Sequence, residues 1–448
     1  MNDAADVDRG AAGGGGDEAR RRDAADPLGR WREAFSIPTH ANGASVIYLC
    51  GNSLGLQPKT ARGAVEQELD DWARHGVEGH FRARTPWYPY HEVFRETGAR
   101  LVGARPGEVV MMNSLTVNLH LMMVSFFRPS GRRRRVLMEW PAFPSDIYAI
   151  KTHLQTRGLD PDRDLLIARP RSGEQTLRRE DLLALIDDHA DELALVLVGG
   201  VNFFTGQVFD LAAITEAGHR AGAMVGFDLA HAAGNVELAL HDWDVDFACW
   251  CSYKYLNAGP GAVAGCFVHQ RHARDQTIPR FGGWWGNDPD TRFQMHLRPD
   301  FEPAPTADGW QLSNPPIMAM APLRASLRLF DEVGMPALRA KSKELTGYLR
   351  RLIEVGNAES AAFEIITPAD PQEQGAQLSI LVHDRPVRRF QALTEAGVVC
   401  DFREPNVVRV APVPLYNSYH DVWRFAEILT TRWGSSGGGG SMDAPETP

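Results

Sequence analysis

Asp228 and Lys254, two residues with side chains suited to cofactor chemistry, each follow an apolar run of strand length. The lysine comes 26 residues after the aspartate (254 − 228). This layout is the one needed to hold pyridoxal 5′-phosphate (PLP), because a lysine amine forms a Schiff base with its aldehyde while a carboxylate pairs with its pyridinium nitrogen. The alternative is that the two residues bind no cofactor, since a strand-end aspartate and an isolated lysine occur in many α/β proteins.

The elements that must position these residues form a repeating pattern. Residues 193–198 are a continuous apolar run of strand length, residues 210–220 have helical spacing, and residues 223–227 form the next strand, which ends at Asp228. This order predicts a βαβ unit of a parallel sheet. Residues 247–251 predict another short buried strand just before the lysine. Because ligands bind beyond the carboxyl ends of such strands, both residues are expected at one site.

The chain divides into five predicted regions. Residues 1–26, which are glycine-rich and of mixed charge, and residues 434–448 are predicted to be disordered tails. Residues 61–320 are predicted to form a large PLP-binding domain with a mostly parallel sheet. Residues 321–433 read as a smaller α+β domain, joined by the early segment 27–60. The predicted fold class is α/β, and 448 residues exceed what one core usually holds.

Composition excludes several classes of protein. The net charge of −10 argues against a nucleic-acid partner. No apolar run approaches the ~20 residues of a membrane span, and the N-terminus lacks the apolar core of a secretory signal. Five scattered cysteines suggest neither a disulfide framework nor a zinc site, so we expect no metal, reduced thiols and a cytoplasmic location.

Six segments, in the same order along the chain, resemble kynureninase, a family of fold-type-I PLP enzymes, and are most similar to its animal-type branch. The resemblance runs from about Tyr48 to Trp433. The segments are residues 48–58, 227–237, 241–259, 283–286, 313–316 and 409–417. It implies a PLP-dependent transferase-like fold and a small-molecule substrate.

The resemblance assigns roles to the residues around the predicted Schiff base. Lys254 would attach the cofactor and then move the substrate's α-proton, and Asp228 would pair with the ring nitrogen. His231 resembles a cofactor-contacting histidine, although a structural histidine would look the same in sequence. Tyr253 would bond the phosphate and relay a proton.

Further cofactor contacts are implied ahead of these strands. The backbone at Leu115 and the hydroxyl of Thr116, at the start of a helix-like run, would bind the phosphate, as free N–H groups at helix starts do. A plain helix cap would look the same. Phe143 resembles the aromatic residue that stacks on the pyridine ring, with Asp146 nearby. In isolation Phe143 reads as a core residue.

Four positions match contacts to substrate or to a neighbouring subunit. Arg409, alone between apolar neighbours, would bind the substrate α-carboxylate, whereas without the resemblance it reads as a salt-bridged strand arginine. His80 and Asn314 match the pocket for the substrate's aromatic ring. Trp284 and Asn314 match cofactor contacts that come from the neighbouring subunit, which implies a homodimer with shared sites.

The sequence departs from the family pattern at four positions. Gly199 stands where a small hydroxyl residue is usual, so one cofactor hydrogen bond is expected to be absent or supplied by Asn202. Asn287 replaces a histidine, and Trp285 and Phe204 are bulkier or less polar than usual. These changes leave the preferred ring substituent open.

The implied activity is hydrolysis of the Cβ–Cγ bond of L-kynurenine or 3-hydroxy-L-kynurenine to an anthranilate and L-alanine. This reaction belongs to tryptophan catabolism and NAD biosynthesis. Alternatives are a cysteine desulfurase or aminotransferase of the same fold, and a non-catalytic PLP-binding protein. A desulfurase needs a mobile cysteine, and Cys400, the one candidate, lies in a strand-like run.

Overall fold

Helices and strands alternate through most of the chain, as the spacing of apolar residues predicts. The computed structural model describes residues 13–40, 43–275, 277–358 and 361–431, so the tail predicted at 434–448 lies outside it. The α-helices are α1 (Gly13–Ala25), α2 (Thr60–His75), α3 (Gly79–Arg82), α4 (Arg95–Val102), α5 (Leu115–Phe126), α6 (Pro144–Thr156), α7 (Pro161–Asp164), α8 (Arg179–Asp188), α9 (Leu211–Arg220), α10 (Gln270–Ala273), α11 (Ile317–Val333), α12 (Met335–Asn357), α13 (Pro386–Glu395) and α14 (Tyr419–Thr430). The strands are β1 (Phe35–Ser36), β2 (Ile47–Tyr48), β3 (Gln57–Pro58), β4 (Val109–Met111), β5 (Arg135–Glu139), β6 (Leu165–Ala168), β7 (Leu193–Gly199), β8 (Met224–Asp228), β9 (Phe247–Trp250), β10 (Gly265–Val268), β11 (Phe363–Ile365), β12 (Leu378–Val382), β13 (Val398–Val399), β14 (Asp401–Arg403) and β15 (Val407–Val410).

A seven-stranded sheet carries the predicted site residues. Its strand order is β4-β10-β9-β8-β7-β5-β6. The five strands from β9 to β6 are parallel, and β10 runs antiparallel to both of its neighbours. The predicted βαβ unit is confirmed: α9 joins β7 to β8, and the Asp210 side chain caps it by accepting the Ala213 N–H at 3.0 Å. The α/β fold class with a mostly parallel sheet is therefore confirmed.

Both faces of this sheet are buried, which explains why its strands read as continuous apolar runs. Along β7, Val196 and Val198 belong to one core cluster, whereas Leu195 and Leu197 belong to the cluster on the other face. This alternation follows from the two-residue period of a strand. Helices cover both faces, so the carboxyl edge is where a ligand has access to the sheet.

A second, four-stranded antiparallel sheet has the order β11-β12-β15-β14 and packs with α12 and α14 around a third core cluster. The early segment joins this part of the molecule, since β2 pairs with β13. The boundary predicted at residue 321 falls inside α11. Buried residues of α11, Met320 and Leu327 among them, join a core cluster of the large sheet, because this helix packs against α2.

The structure corrects the prediction of a disordered tail for residues 13–25, whereas residues 1–12 lie outside the described residues. Residues 13–25 form α1, which packs against α14. Ala19 is fully buried in this contact, and the Asp23 carboxylate accepts the first backbone N–H groups of α14. A glycine-rich segment has low helix propensity, so tertiary packing rather than local preference stabilises this helix.

Candidate active site

The carboxyl edge of the large sheet borders a cavity of about 250 Å³. Glu139 ends β5, Gly199 ends β7 and Asp228 ends β8, and the strand register places Gly199 opposite Asp228. Lys254 follows β9, the next strand of the sheet, and lines the same cavity. Because parallel strands end at one edge, the sheet brings Asp228 and Lys254 together although they are far apart in sequence.

Most of the residues singled out from the sequence border this cavity. Those that line it are Leu115, Thr116, Phe143, Asp146, Asp228, His231, Tyr253 and Lys254, together with Gly199. Sequence reasoning missed Ser114, Glu139, Ser145, Val201, Phe203 and Ala230, which also line it. For Glu139 a signal existed, because an acidic residue directly after the apolar run 136–138 repeats the pattern that identified Asp228.

A tight turn holds the lysine at the cavity. The Gly55 N–H donates to the carbonyl oxygen of Tyr253 at 2.8 Å. A Cβ at position 55 would lie 2.3 Å from the carbonyl oxygen of Lys254, so only glycine permits this approach. The Lys254 Nζ lies 5.7 Å from the centre of the Phe143 ring and 6.0 Å from that of Tyr253. The amine therefore sits between two aromatic side chains.

One end of the cavity is built to receive an anion. Helix α5 begins there with Ser114 as its N-cap, and the Ser114 side chain forms no capping hydrogen bond. The first N–H groups of the helix are therefore available to a ligand. The Thr116 and Ser145 hydroxyls bond each other at 3.1 Å, which leaves one of their O–H groups to donate to a ligand, and Tyr253 lines the same cavity. This donor set fits a phosphate group.

Three carboxyl groups lie at the cavity: those of Asp228 and Glu139 are buried, and that of Asp146 is half-buried. The Asp228 Oδ1 accepts the Ala230 N–H at 2.6 Å. Burial raises the pKa of Asp146 well above its usual value, and the nearby Asp228 charge raises it further. Burial also raises the pKa of Glu139 to about 7. Such a cluster retains protons at neutral pH, because adjacent carboxylates in a dry site do not all ionise.

Two buried polar atoms in this cavity have no hydrogen-bond partner among the described residues, Asp146 Oδ1 and His231 Nδ1. Burial lowers the pKa of His231 well below its usual value, and the Lys254 and Arg409 charges lower it further, so its imidazole is neutral at pH 7. Unpaired buried groups are costly unless a ligand completes them. An anion-binding end, a lysine and an acidic end with unpaired atoms fit PLP.

Replacing Glu139 with glutamine should stabilise the cofactor-free protein at high pH. The folded-state pKa of about 7 lies above the 4.5 of a free glutamate, so the stability that the Glu139 proton contributes is lost as pH rises from about 4.5 through 7. Glu139→Gln should raise the free energy of unfolding by about 2–3 kcal/mol at pH 8 and much less at pH 5. Urea unfolding at both pH values measures this difference. Equal effects at the two values would contradict it, and the exposed Glu66→Gln is the control.

Arg409 does not line the cavity. Its guanidinium bonds Asp401 and the carbonyl oxygen of Phe203, and its Nε has no partner among the described residues. Burial lowers its pKa to about 10, which leaves it charged at neutral pH. Phe203 lines the cavity, with its ring centre 5.8 Å from the Arg409 guanidinium carbon. The structure thus places Arg409 behind the cavity wall, because Asp401 lies directly opposite it in the β14–β15 register.

His80, Trp284 and Asn314 are also absent from the cavity lining. They lie in segments that contact one another on the surface. The backbone of His80 accepts the Tyr88 N–H at 3.0 Å, and the Tyr88 ring packs 5.6 Å from that of Trp285. The backbone N–H of Trp285 in turn donates to the carbonyl oxygen of Leu312 at 3.4 Å. Leu312 lies two residues before Asn314, which is exposed.

The residues that depart from the family pattern lie outside the cavity, except Gly199. The Asn202 amide donates to the carbonyl oxygen of Pro141 at 2.8 Å, and its Oδ1 accepts the Phe204 and Thr205 N–H groups. Asn202 does not line the cavity, and the expectation that the hydrogen bond at position 199 is absent or supplied by Asn202 stays a prediction. Asn287 is buried and accepts the Glu302 N–H.

One group among the described residues has metal-ligand geometry, Glu108 with His241 and His269. Its ligand atoms already have partners. Glu108 accepts the Gln270 N–H at 2.9 Å and bonds His241 at the same distance. The His269 Nδ1 accepts the Arg271 N–H at 3.2 Å. These hydrogen bonds give the group a structural role, because they connect the start of β4 to the end of β10.

The structure shares its fold with PLP enzymes of low sequence identity. It superimposes with a TM-score of 0.70 on an apo cysteine desulfurase from Thermococcus onnurineus, 19% identical, covering 86% of this chain and 94% of that one. The cystine C–S lyase C-DES, in complex with cysteine persulfide, gives 0.71 at 17% identity, covering 86% and 97%. No helix in the described residues has the length and apolar character to cross a membrane.

Sequence relatives are much more similar. Residues 338–429 match the model of the kynureninase C-terminal domain. The kynureninase of Koribacter versatilis is 57% identical over 405 residues, 90% of this chain and 95% of that protein. The kynureninase of Myxococcus xanthus is 56% identical over 411 residues, 92% and 96% of the two chains. The chain belongs to the kynureninase family.

Proposed function

We propose that the protein uses PLP to hydrolyse the Cβ–Cγ bond of L-kynurenine or 3-hydroxy-L-kynurenine. Water adds its oxygen to the γ-carbonyl carbon, which leaves as the carboxylate of anthranilate or 3-hydroxyanthranilate. The Cβ carbon gains a proton, and the amino acid leaves as L-alanine. The observation that carries this proposal is that Lys254 and Asp228 share one cavity in a chain more than half identical to kynureninases.

When bound, PLP supplies an electron sink for the substrate's α-carbon. Lys254 attaches it and then, as a free amine, removes and returns the α-proton. Asp228 holds the proton on the ring nitrogen, and His231, neutral and with an unpaired Nδ1, bonds the polar edge of the ring. Phe143, whose ring lies near the Lys254 amine, would cover the ring face. Each acid–base contribution of this kind is typically worth ~10²–10⁴-fold in rate.

The phosphate would bind at the start of α5. Backbone N–H groups at Leu115, together with the Thr116 and Tyr253 hydroxyls, provide its donors. Burial raises the pKa of Tyr253, so its phenol keeps its proton and acts as a donor throughout the neutral range. Ser114 and Ser145, which line the same end, extend this donor set. Asp146, at the acidic end, would contact the ring.

Arg409 would bind the substrate α-carboxylate. A fixed guanidinium at 1% exposure, with an unpaired Nε, is suited to bind a carboxylate through two parallel hydrogen bonds. This requires Asp401 to release Nη2 when substrate enters, because Nε and Nη2 are the two parallel donors. The substrate carboxylate would then replace the Asp401 carboxylate as the charged partner.

A steady-state assay with both substrates tests the function. PLP-loaded protein should release L-alanine and a fluorescent anthranilate from at least one of them. A higher kcat/KM for 3-hydroxy-L-kynurenine is expected if His80 and Asn314 form the ring pocket, since a buried hydroxyl needs a polar partner. Activity on neither substrate would overturn the proposal.

The protein is proposed to act as a homodimer with shared sites. Exposed aromatic side chains support this, since Phe81 is 61%, Phe293 53% and Trp284 37% exposed, and their rings contact one another. Contiguous exposed apolar surface of this kind marks interaction sites. His80, Trp284 and Asn314 belong to this surface or flank it, so each would complete the cavity of the neighbouring subunit.

Mixing two inactive variants should restore activity. Lys254→Ala lacks the base, and Trp284→Ala/Asn314→Ala lacks the contributed contacts. After equal amounts are unfolded and refolded together, random pairing leaves roughly a quarter of the sites intact if the contacts come from the partner. If they come from the same chain, activity remains absent. Sedimentation of each variant checks that dimers form.

The alternative functions are not favoured. Cys400, the cysteine that a desulfurase reading requires, is mostly buried, and burial raises its thiol pKa to about 12. A thiol of this kind is a poor nucleophile at neutral pH. All five cysteines are free, which supports the further proposal of a cytoplasmic enzyme of tryptophan catabolism and NAD biosynthesis.

A further inference from the structure

Position 199 has no side chain, yet it lies at the acidic end of the cavity between two residues that do. It is the last residue of β7, whose neighbours β5 and β8 end in Glu139 and Asp228. The Glu139 carboxyl group reaches across this gap. Both of its oxygens accept the Gly199 N–H, each at 3.2 Å. Glu139 and Gly199 both line the cavity.

A side chain at position 199 and the Glu139 carboxyl group would compete for the same space. A Cβ on Gly199 would lie 2.9 Å from Glu139 Oε1, so the end of the Glu139 side chain would have to shift. The carboxyl group therefore occupies the volume that a side chain at position 199 would need. Two backbone N–H groups bond the Glu139 carboxyl group, that of Gly199 and that of Glu139 itself, so the contact across the gap helps to fix where this carboxyl group lies.

We propose that Glu139 and Gly199 act as one unit, in which the Glu139 carboxyl group supplies the polar wall beside Asp228 that a side chain at position 199 would otherwise supply to the bound cofactor. This inference rests on the proposed PLP-dependent function. In it, Glu139 is a positioning residue that helps to hold the cofactor beside Asp228. The burial of Glu139 and the charge of Asp228, which both raise its pKa, favour the protonated form, a hydrogen-bond donor toward the cavity.

The unit predicts a specific pattern among four variants. Glu139→Ala removes the wall, and Gly199→Ser forces the carboxyl group out of place, so each should weaken PLP binding by about 10–100-fold. In Glu139→Ala/Gly199→Ser the serine hydroxyl fills the vacated volume, and binding should return to within about tenfold of the wild type. Glu139→Gln keeps the shape and a donor and should bind like the wild type.

The experiment titrates cofactor-free protein with PLP and follows both tryptophan fluorescence and the visible absorption of the bound cofactor. Gly63→Ser is the control, because a Cβ there meets nothing within 4 Å. Additive losses in the double variant would overturn the inference, as would Glu139→Ala binding like the wild type. If Gly199→Ser does not fold, the PLP affinities of Glu139→Ala and Glu139→Gln still test the inference, which requires weaker binding in the first and wild-type binding in the second. Failure of the wild type to bind PLP would instead refute the proposed function itself.

Discussion

Replacing Lys254 with alanine should reduce turnover by at least ~10⁴-fold while the protein remains folded. The lysine is the one amine among the described residues that lines the cavity. Without it the α-proton has no amine base. The Asp146 carboxyl group is a poor substitute because burial and the Asp228 charge raise its pKa and favour its protonated, non-basic form. The measurement is kcat with saturating PLP and substrate.

Two further observations separate this loss from unfolding. The variant should keep the wild-type melting temperature to within a few degrees, because the Lys254 amine forms no ion pair among the described residues. The exposed Lys59→Ala should keep full activity and controls for loss of a positive charge. Turnover above about 1% of the wild type in Lys254→Ala would refute its assignment as the base.

Asp228→Asn is expected to lower kcat by about 10³-fold with little change in cofactor affinity. The amide oxygen still accepts the Ala230 N–H, so the local structure is kept. A neutral amide, however, does not hold a proton on the ring nitrogen, and the electron sink weakens. Visible spectra of the bound cofactor and kcat together measure this effect.

The same substitution has a second signature. The Asp228 charge is one cause of the raised pKa of Asp146, so its removal should lower that pKa and shift the acidic limb of the pH–rate profile downward. Asp242→Asn, at an exposed position, is the matched control and should leave both kcat and the profile unchanged. An unchanged kcat in Asp228→Asn would contradict the assignment.

Local patterns were enough to predict the sheet edge with Asp228 and Lys254, whereas the other cavity-lining residues that were predicted came from the family resemblance. The apolar run 223–227 is followed by Asp228, and the apolar run 247–251 precedes Lys254. The two strands and the two polar residues at their carboxyl ends could therefore be predicted from the sequence. Glu139 follows the same rule but was overlooked, because it is followed by Trp140 and a proline and not by a recognisable motif.

Features that depend on distant partners could not be predicted. Arg409 bonds Asp401 and does not line the cavity. This pairing depends on the register of the two antiparallel strands β14 and β15, which the sequence does not specify. The helix at residues 13–25 depends on burial against α14, more than 390 residues away along the chain. Likewise, the close approach of the Glu139 carboxyl group to position 199 arises only because β5 and β7 lie side by side.

The packing of α1 on α14 determines where the two ends of the described chain lie. A Cβ on Gly15 would lie 2.9 Å from Trp423, whereas Asp23 bonds the Tyr419 N–H, so the helices run antiparallel. Gly13 and Thr431 therefore lie toward the same end of this helix pair. A short linker between them should yield a circularly permuted enzyme, with new termini opened in a surface loop.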